Sequence, residues 1–178
     1  MIRFPTDHLD IDKLKKLIPS SCSDVKIFAR GKRGAIFKAQ YKEQFVAIKV
    51  SLPTSEAMST TTLEGKYLEK TNVLGIGPKV FEFTDDYVIM EFIEGTLVGE
   101  WLEAKPSEED KQTVLGNILI QLEVLDQAGL NKYELTNPYK HIIVKENLSI
   151  VLIDFERMRF AAKAKNVSQF KEYIKNYF

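Results

Sequence analysis

The stretch that most constrains the fold is "DVKIFARGKRGAIFKAQYKEQFVAIKVSL", residues 24–52, in which apolar and polar side chains alternate in three runs. A period of two puts successive side chains on opposite faces of a strand, and a helix cannot use it. The runs break at "GKRG" and "YKEQ", both suited to tight turns, so the stretch predicts a three-stranded antiparallel meander. Ahead of it, "LDIDKLKKLI" spaces Ile11, Leu14, Leu17 and Ile18 along one helical face before Pro19, which predicts a short docking helix. Behind it, "TTTLEGKYLEKTNVLG" reads as a helix with a threonine cap, Leu63, Tyr67 and Leu68 on one face, and Gly75 as terminator. "KVFEFTDDYVIMEFIEG" adds two strands around an Asp-Asp turn. A five-stranded sheet with one helix accounts for residues 24–94.

The period then changes. "KPSEEDKQTVLGNILIQLEVLDQAGL" predicts the longest helix, with Ser107 as cap, acids at 108–110 on its positive end and Gly129 closing it. Val114, Leu115, Ile118, Leu119, Leu122 and Leu125 form its apolar stripe, which makes it a core element. "HIIV" and "SIVLIDF", separated by "KENL", predict a small hairpin. "NVSQFKEYIKNYF" predicts a last helix with Val167, Phe170, Ile174 and Tyr177 on one side. The expected class is α+β, in two coupled parts of residues 1–94 and 95–178.

A chain of 178 residues can bury a real core. Its 25 Lys and Arg balance 25 Asp and Glu, so no overall field draws it to nucleic acid or an anionic membrane, and a charged partner must be bound locally. The single Cys22 excludes an internal disulfide framework and a cysteine-rich zinc site. The first residues lack a signal-peptide core, and no run approaches the roughly 18 apolar residues of a membrane span. A soluble, cytoplasmic protein is the expectation.

Seven short stretches stand in a telling order: "GKRGAIFKA", "FVAIKV", "EGKYL", "GIGPKVFEF", "VIMEFIEG", "YELTNPYKHIIV" and "LIDFE". Between them they cover a small sheet with one helix, then a long helix, then a loop and hairpin bearing acids. The set resembles the protein-kinase fold, reduced to a five-stranded N-lobe and a short, mainly helical C-lobe. "LGIGPKV" and the abrupt ending after "DFE" look less like ordinary protein kinases than like the atypical ones, the RIO kinases and the kinase of the KEOPS tRNA-modification complex. The closest resemblance is to small archaeal Ser/Thr protein kinases with Glu-Leu and Asp-Phe-Glu variants.

The resemblance implies roles for particular residues. "ARGKRGAI" sets Ala29, Gly31, Gly34 and Ile36 in the four positions of the glycine-rich motif, with Gly31 and Gly34 leaving backbone amides open to phosphate; taken alone it also describes an ordinary hairpin turn. Lys49 of "FVAIKV" matches the lysine that reaches the α and β phosphates of ATP, although the same residue on a half-buried strand can simply face solvent. Glu64, fifteen residues on, is the partner such a lysine needs to keep its charge, with Glu56 and Glu69 as competitors. Met90 would wall the adenine pocket, and Glu91, Phe92 and Ile93 would offer it backbone groups.

Asp154 matches the metal-binding Asp of D-F-G, and the spacing of thirteen positions back to His141 sets that residue in place of the loop's second metal ligand, an asparagine. Glu134 takes the position of the catalytic aspartate, in a loop about two residues longer. A glutamate can still accept or orient a hydroxyl proton. A histidine binds Mg²⁺ less well than an amide oxygen, and equally suits a structural place before an apolar strand. Lys140 would steady the transferred phosphate, or else be solvated.

The implied activity is phosphoryl transfer from Mg-ATP by Lys49, Glu134 and Asp154. With 24 residues after Asp154, no activation loop and peptide-docking helices are expected together. The acceptor is then the chain itself or a docked protein partner, or the protein is an ATPase switch; association with a ribonucleoprotein or tRNA-modification complex fits the resemblance better than direct nucleic-acid binding. Ser and Thr residues of "SLPTSEAMSTTTLEG" are candidate acceptors, and helix capping explains them as well. The altered Glu134 and His141 leave a non-catalytic nucleotide-binding module as the alternative.

Overall fold

A computed structural model describes residues 10–31, 34–51 and 60–177. The chain is α+β and divides into two compact units, Met1–Glu69 with Lys79–Phe92, and Lys70–Pro78 with Ile93–Phe178. A cut at residue 94 leaves residues 70–78 with the sheet, whereas their contacts put them in the second unit.

The first unit holds α1 (Ile11–Lys15), β1 (Cys22–Arg30), β2 (Gly34–Tyr41), β3 (Gln44–Ser51), α2 (Thr60–Val73), β4 (Val80–Phe83) and β5 (Tyr87–Glu91). α2 ends beyond the unit boundary. The strands form one antiparallel sheet in the order β1-β2-β3-β5-β4. The alternation read from the sequence sets its faces. Ala35, Phe37, Ala39 and Tyr41 of β2 and Val46, Ile48 and Val50 of β3 are buried, and they share a core with Leu14 of α1. The intervening residues, Lys49 among them, therefore project from the opposite face. Asp10 caps α1 by accepting a hydrogen bond from the Lys13 amide at 3.0 Å, and Ile11, Leu17 and Ile18 pack around the same core.

Two contacts seat α2 in this unit. A Cβ on Gly65 would lie 2.1 Å from the Phe83 ring, so only glycine lets the helix come this close to β4. The Thr61 hydroxyl meets the carbonyls of Thr84 and Asp85, each at 2.9 Å, in the turn between β4 and β5.

The second unit holds β6 (Thr96–Leu97), α3 (Val98–Glu103), α4 (Glu108–Gln127), β7 (Leu130–Asn131), β8 (Ile142–Val144), β9 (Ile150–Leu152), β10 (Arg159–Phe160) and α5 (Asn166–Tyr177). Ser107 caps α4 through a 3.1 Å bond from the Asp110 amide, and Gly129 follows it at φ +66°. Val114, Ile118, Leu122 and Leu125 are its fully buried residues, while Leu115 and Leu119 lie at the margin of the stripe. The expected hairpin is present as β8 and β9, and β6 joins it as a third strand. α5 buries Phe170 and Tyr173, with Val167 and Ile174 half-buried beside them. Among the described residues no helix is long and apolar enough to cross a membrane.

Candidate active site

In the first unit, Lys49 and Glu64 meet. Lys49 sits on β3 between two fully buried neighbours, Ile48 and Val50, and its Nζ lies 2.7 Å from Glu64 Oε2. The Glu64 side chain is 1% exposed and that of Lys49 20%, so a largely desolvated carboxylate holds an ammonium that still reaches solvent. The ion pair offsets the cost of burying the Glu64 carboxylate. The competitor Glu69 is exposed, and Glu56 lies outside the described residues.

The glycine turn has a second explanation. The Gly31 amide bonds the Gly34 carbonyl at 2.9 Å, while residues 32 and 33 lie outside the described residues. A Cβ on Gly34 would sit 2.2 Å from the Val50 carbonyl oxygen, so the close pairing of β2 with β3 already requires this glycine. A Cβ on Gly31 would make only ordinary contact. Met90 is 8% exposed and pairs with Ala47. The Glu91 amide bonds Lys79 O at 2.8 Å and the Phe92 amide bonds Phe45 O at 3.4 Å, so both donors are already used within the first unit. Ile93 begins the next stretch of the second unit and is half-buried.

The second unit gathers Glu134, His141 and Asp154, each half-buried, with one potential ligand atom apiece within 4.8 Å of the others. Glu134 stands on a 3₁₀ turn, Tyr133–Thr136, and a second turn, Pro138–Lys140, leads to His141. The Ile153 amide bonds His141 O at 3.0 Å, which locks the histidine beside the strand that delivers Asp154. His141 Nδ1 lies 3.6 Å from Asp154 Oδ2. Asp154 has φ +65°, a left-handed conformation that aspartate tolerates better than most residues and that points to a constrained site. Lys140 is exposed at the end of the second turn.

Several residues that support this site carry no motif. Lys132 is fully buried; its Nζ lies 3.2 Å from Glu134 Oε2 and donates to the Asp154 carbonyl. Arg157 brings its Nε to 3.7 Å from Glu134 Oε1. Burial raises the Glu134 carboxyl above the usual glutamate range, Lys132 acts against that rise, and Asp154 adds to it.

The loop is anchored from both sides. Asn166, at the start of α5, accepts the Lys132 amide at 2.7 Å and donates to Leu130 O and Asp126 Oδ1, each at 2.7 Å. Asp126 of α4 also accepts the Asn166 and Val167 amides at 2.8 and 3.2 Å, which caps α5 from another helix. Asn131 accepts the Lys165 amide at 2.7 Å. After Asp154 the chain turns at Phe155–Met158, both ends fully buried, and β10 pairs with β7 immediately before the loop.

A comparison of the chain with protein-family models finds no match, and neither does a comparison with curated proteins. The chemistry must therefore be argued from the side chains. Two carboxylates and an imidazole at this spacing fit a divalent cation. Lys132 and Arg157 already face the two oxygens of Glu134.

Proposed function

We propose that the protein is an ATP- and Mg²⁺-dependent phosphotransferase of the atypical Ser/Thr kinase type, with a reduced kinase-like fold. It acts on itself or a docked protein, or cycles as an ATPase. The observation that carries this reading is the convergence of Glu134, His141 and Asp154, three residues from separate segments of one loop and hairpin, within 4.8 Å. The Lys49–Glu64 pair, implied by the kinase-like motifs and 2.7 Å apart, supports it as well.

In this reading Lys49 neutralises the α and β phosphates, and Glu64 holds it there charged. Asp154 and His141 would hold Mg²⁺, which would supply neutralising charge to the transferred group. Glu134 accepts or orients the proton of the attacking hydroxyl or water.

Labelled ATP with the wild type and with Lys49→Ala, Asp154→Ala and Glu134→Gln tests the proposal. Label on protein, or released phosphate, should fall sharply in all three variants. Turnover unaffected by Asp154→Ala and Glu134→Gln would sink it. The second reading, a nucleotide-binding module without turnover, is favoured by the cations facing both oxygens of Glu134. It predicts Mg-ATP binding without labelled product or hydrolysis.

A further inference from the structure

Lys132 is the least expected charge in the chain. It is among the largest fully buried side chains, and an ammonium taken out of water is costly unless its partners are well placed. A well-packed apolar side chain often serves stability as well as a buried ion pair does. The partners of Lys132 therefore matter more than its burial. Its Nζ bonds the side chain of Glu134 and the backbone carbonyl of Asp154, so one group ties together the two acidic segments. The same Nζ stands 5.1 Å from the centre of the Phe155 ring, next to Asp154 in the chain. The Lys132 amide is held by Asn166, so the residue is fixed at both ends.

We infer that Lys132 is the positioning residue of the acidic site. Its ammonium fixes the Glu134 carboxylate relative to the left-handed peptide of Asp154, and so sets the separation of the group that serves the acceptor from the group that holds the cation. The inference rests on the proposed function for what the two carboxylates do. The geometry it invokes lies wholly within the second unit.

The test uses the full chain and Lys132→Met, which keeps length and removes charge. With Mg-ATP, kcat should fall about a hundredfold while KM for ATP stays within about twofold. In a Glu134→Gln background the same change should cost less than about threefold, because the two residues act as one unit. A kcat within threefold of wild type, or penalties that multiply, would overturn the inference.

Mn²⁺ titration followed by electron paramagnetic resonance decides it without turnover. Positioning predicts binding weakened at least fivefold in Lys132→Met, with the thermal midpoint kept within a few degrees. Tighter binding would mark Lys132 as a like-charge neighbour of the cation, and unchanged binding or none in the wild type would equally refute the positioning role. A wild type that binds Mn²⁺ in this Lys132-dependent way but never transfers phosphate would leave the positioning role standing and remove the kinase reading.

Discussion

Lys49 and Lys132 each hold a glutamate, but the two pairs are built in opposite ways. Lys49 lies on a strand and its partner on a helix fifteen residues later, where regular geometry brings them to 2.7 Å. Lys132 lies before an irregular turn and its partner only two residues on, at 3.2 Å. In the first pair the carboxylate is the buried member, 1% exposed against 20% for the lysine; in the second the ammonium is, at 0% against 13%. A buried acid with a partly open lysine offers positive charge to a ligand. A buried lysine with a partly open acid offers negative charge instead.

The largest effect expected from this contrast is on turnover. On the proposed function, Asp154→Ala should lower phosphoryl transfer by about a hundred- to a thousandfold, the range seen on removing one group that stabilises developing charge, measured as label from ATP. A loss confined to Lys49→Ala would break the symmetry between the units. Stability should follow burial of the carboxylate. Lys49→Met removes the cation from a nearly dry Glu64 and should cost about 3–5 kcal/mol in urea unfolding. Lys132→Met should cost less, because Glu134 is more open and keeps Arg157 at 3.7 Å. Equal costs would refute the contrast.

The second pair also depends on a hydrogen bond from a distant residue, through the Lys132 amide and Asn166. Asn166→Ala removes bonds to Lys132, Leu130 and Asp126 and should destabilise by about 2–4 kcal/mol, since buried polar groups lose their partner. On the proposed function it should also weaken turnover through Glu134.

The smallest effect is a pH dependence in the sheet unit. Burial and a hydrogen bond to Glu82 push the Tyr87 phenol up to about 12. Its unfolded value is about 10, so the folded state keeps the proton longer. Stability from this group is complete below pH about 10, is lost between about 10 and 12, and totals at most about 2.7 kcal/mol. Unfolding followed across that window should lose this slope in Tyr87→Phe.

How much of this was legible depended on periodicity. The alternation in β2 and β3 told which residues face the core, and the same alternation put Lys49 on the other face. The cap at Ser107 and the stop at Gly129 were readable because both act within a few residues along the chain. Two-residue strands such as β6, β7 and β10 show no period and exist only as pairing partners. Lys132 sat in "NKYEL" without a signal, because its burial follows from contacts 22 and 34 residues away. Gly34, expected at a phosphate, proves to be required by the Val50 carbonyl, a reason visible only once the two strands are paired.

By itself the sequence determined the α+β class, the five-stranded sheet, the long capped helix and the hairpin, because regular elements repeat at fixed intervals and carry their side chains with them, whereas the pairing of Lys49 with Glu64 was implied by the kinase-like motifs. Tertiary structure alone decided that Lys132 would be buried and that Asp126 and Asn166 would clamp the loop, while Glu134, His141 and Asp154, set in one site by the resemblance, come within 4.8 Å of one another. Irregular backbone has no period of its own, and its course is set by whichever distant groups satisfy its hydrogen bonds.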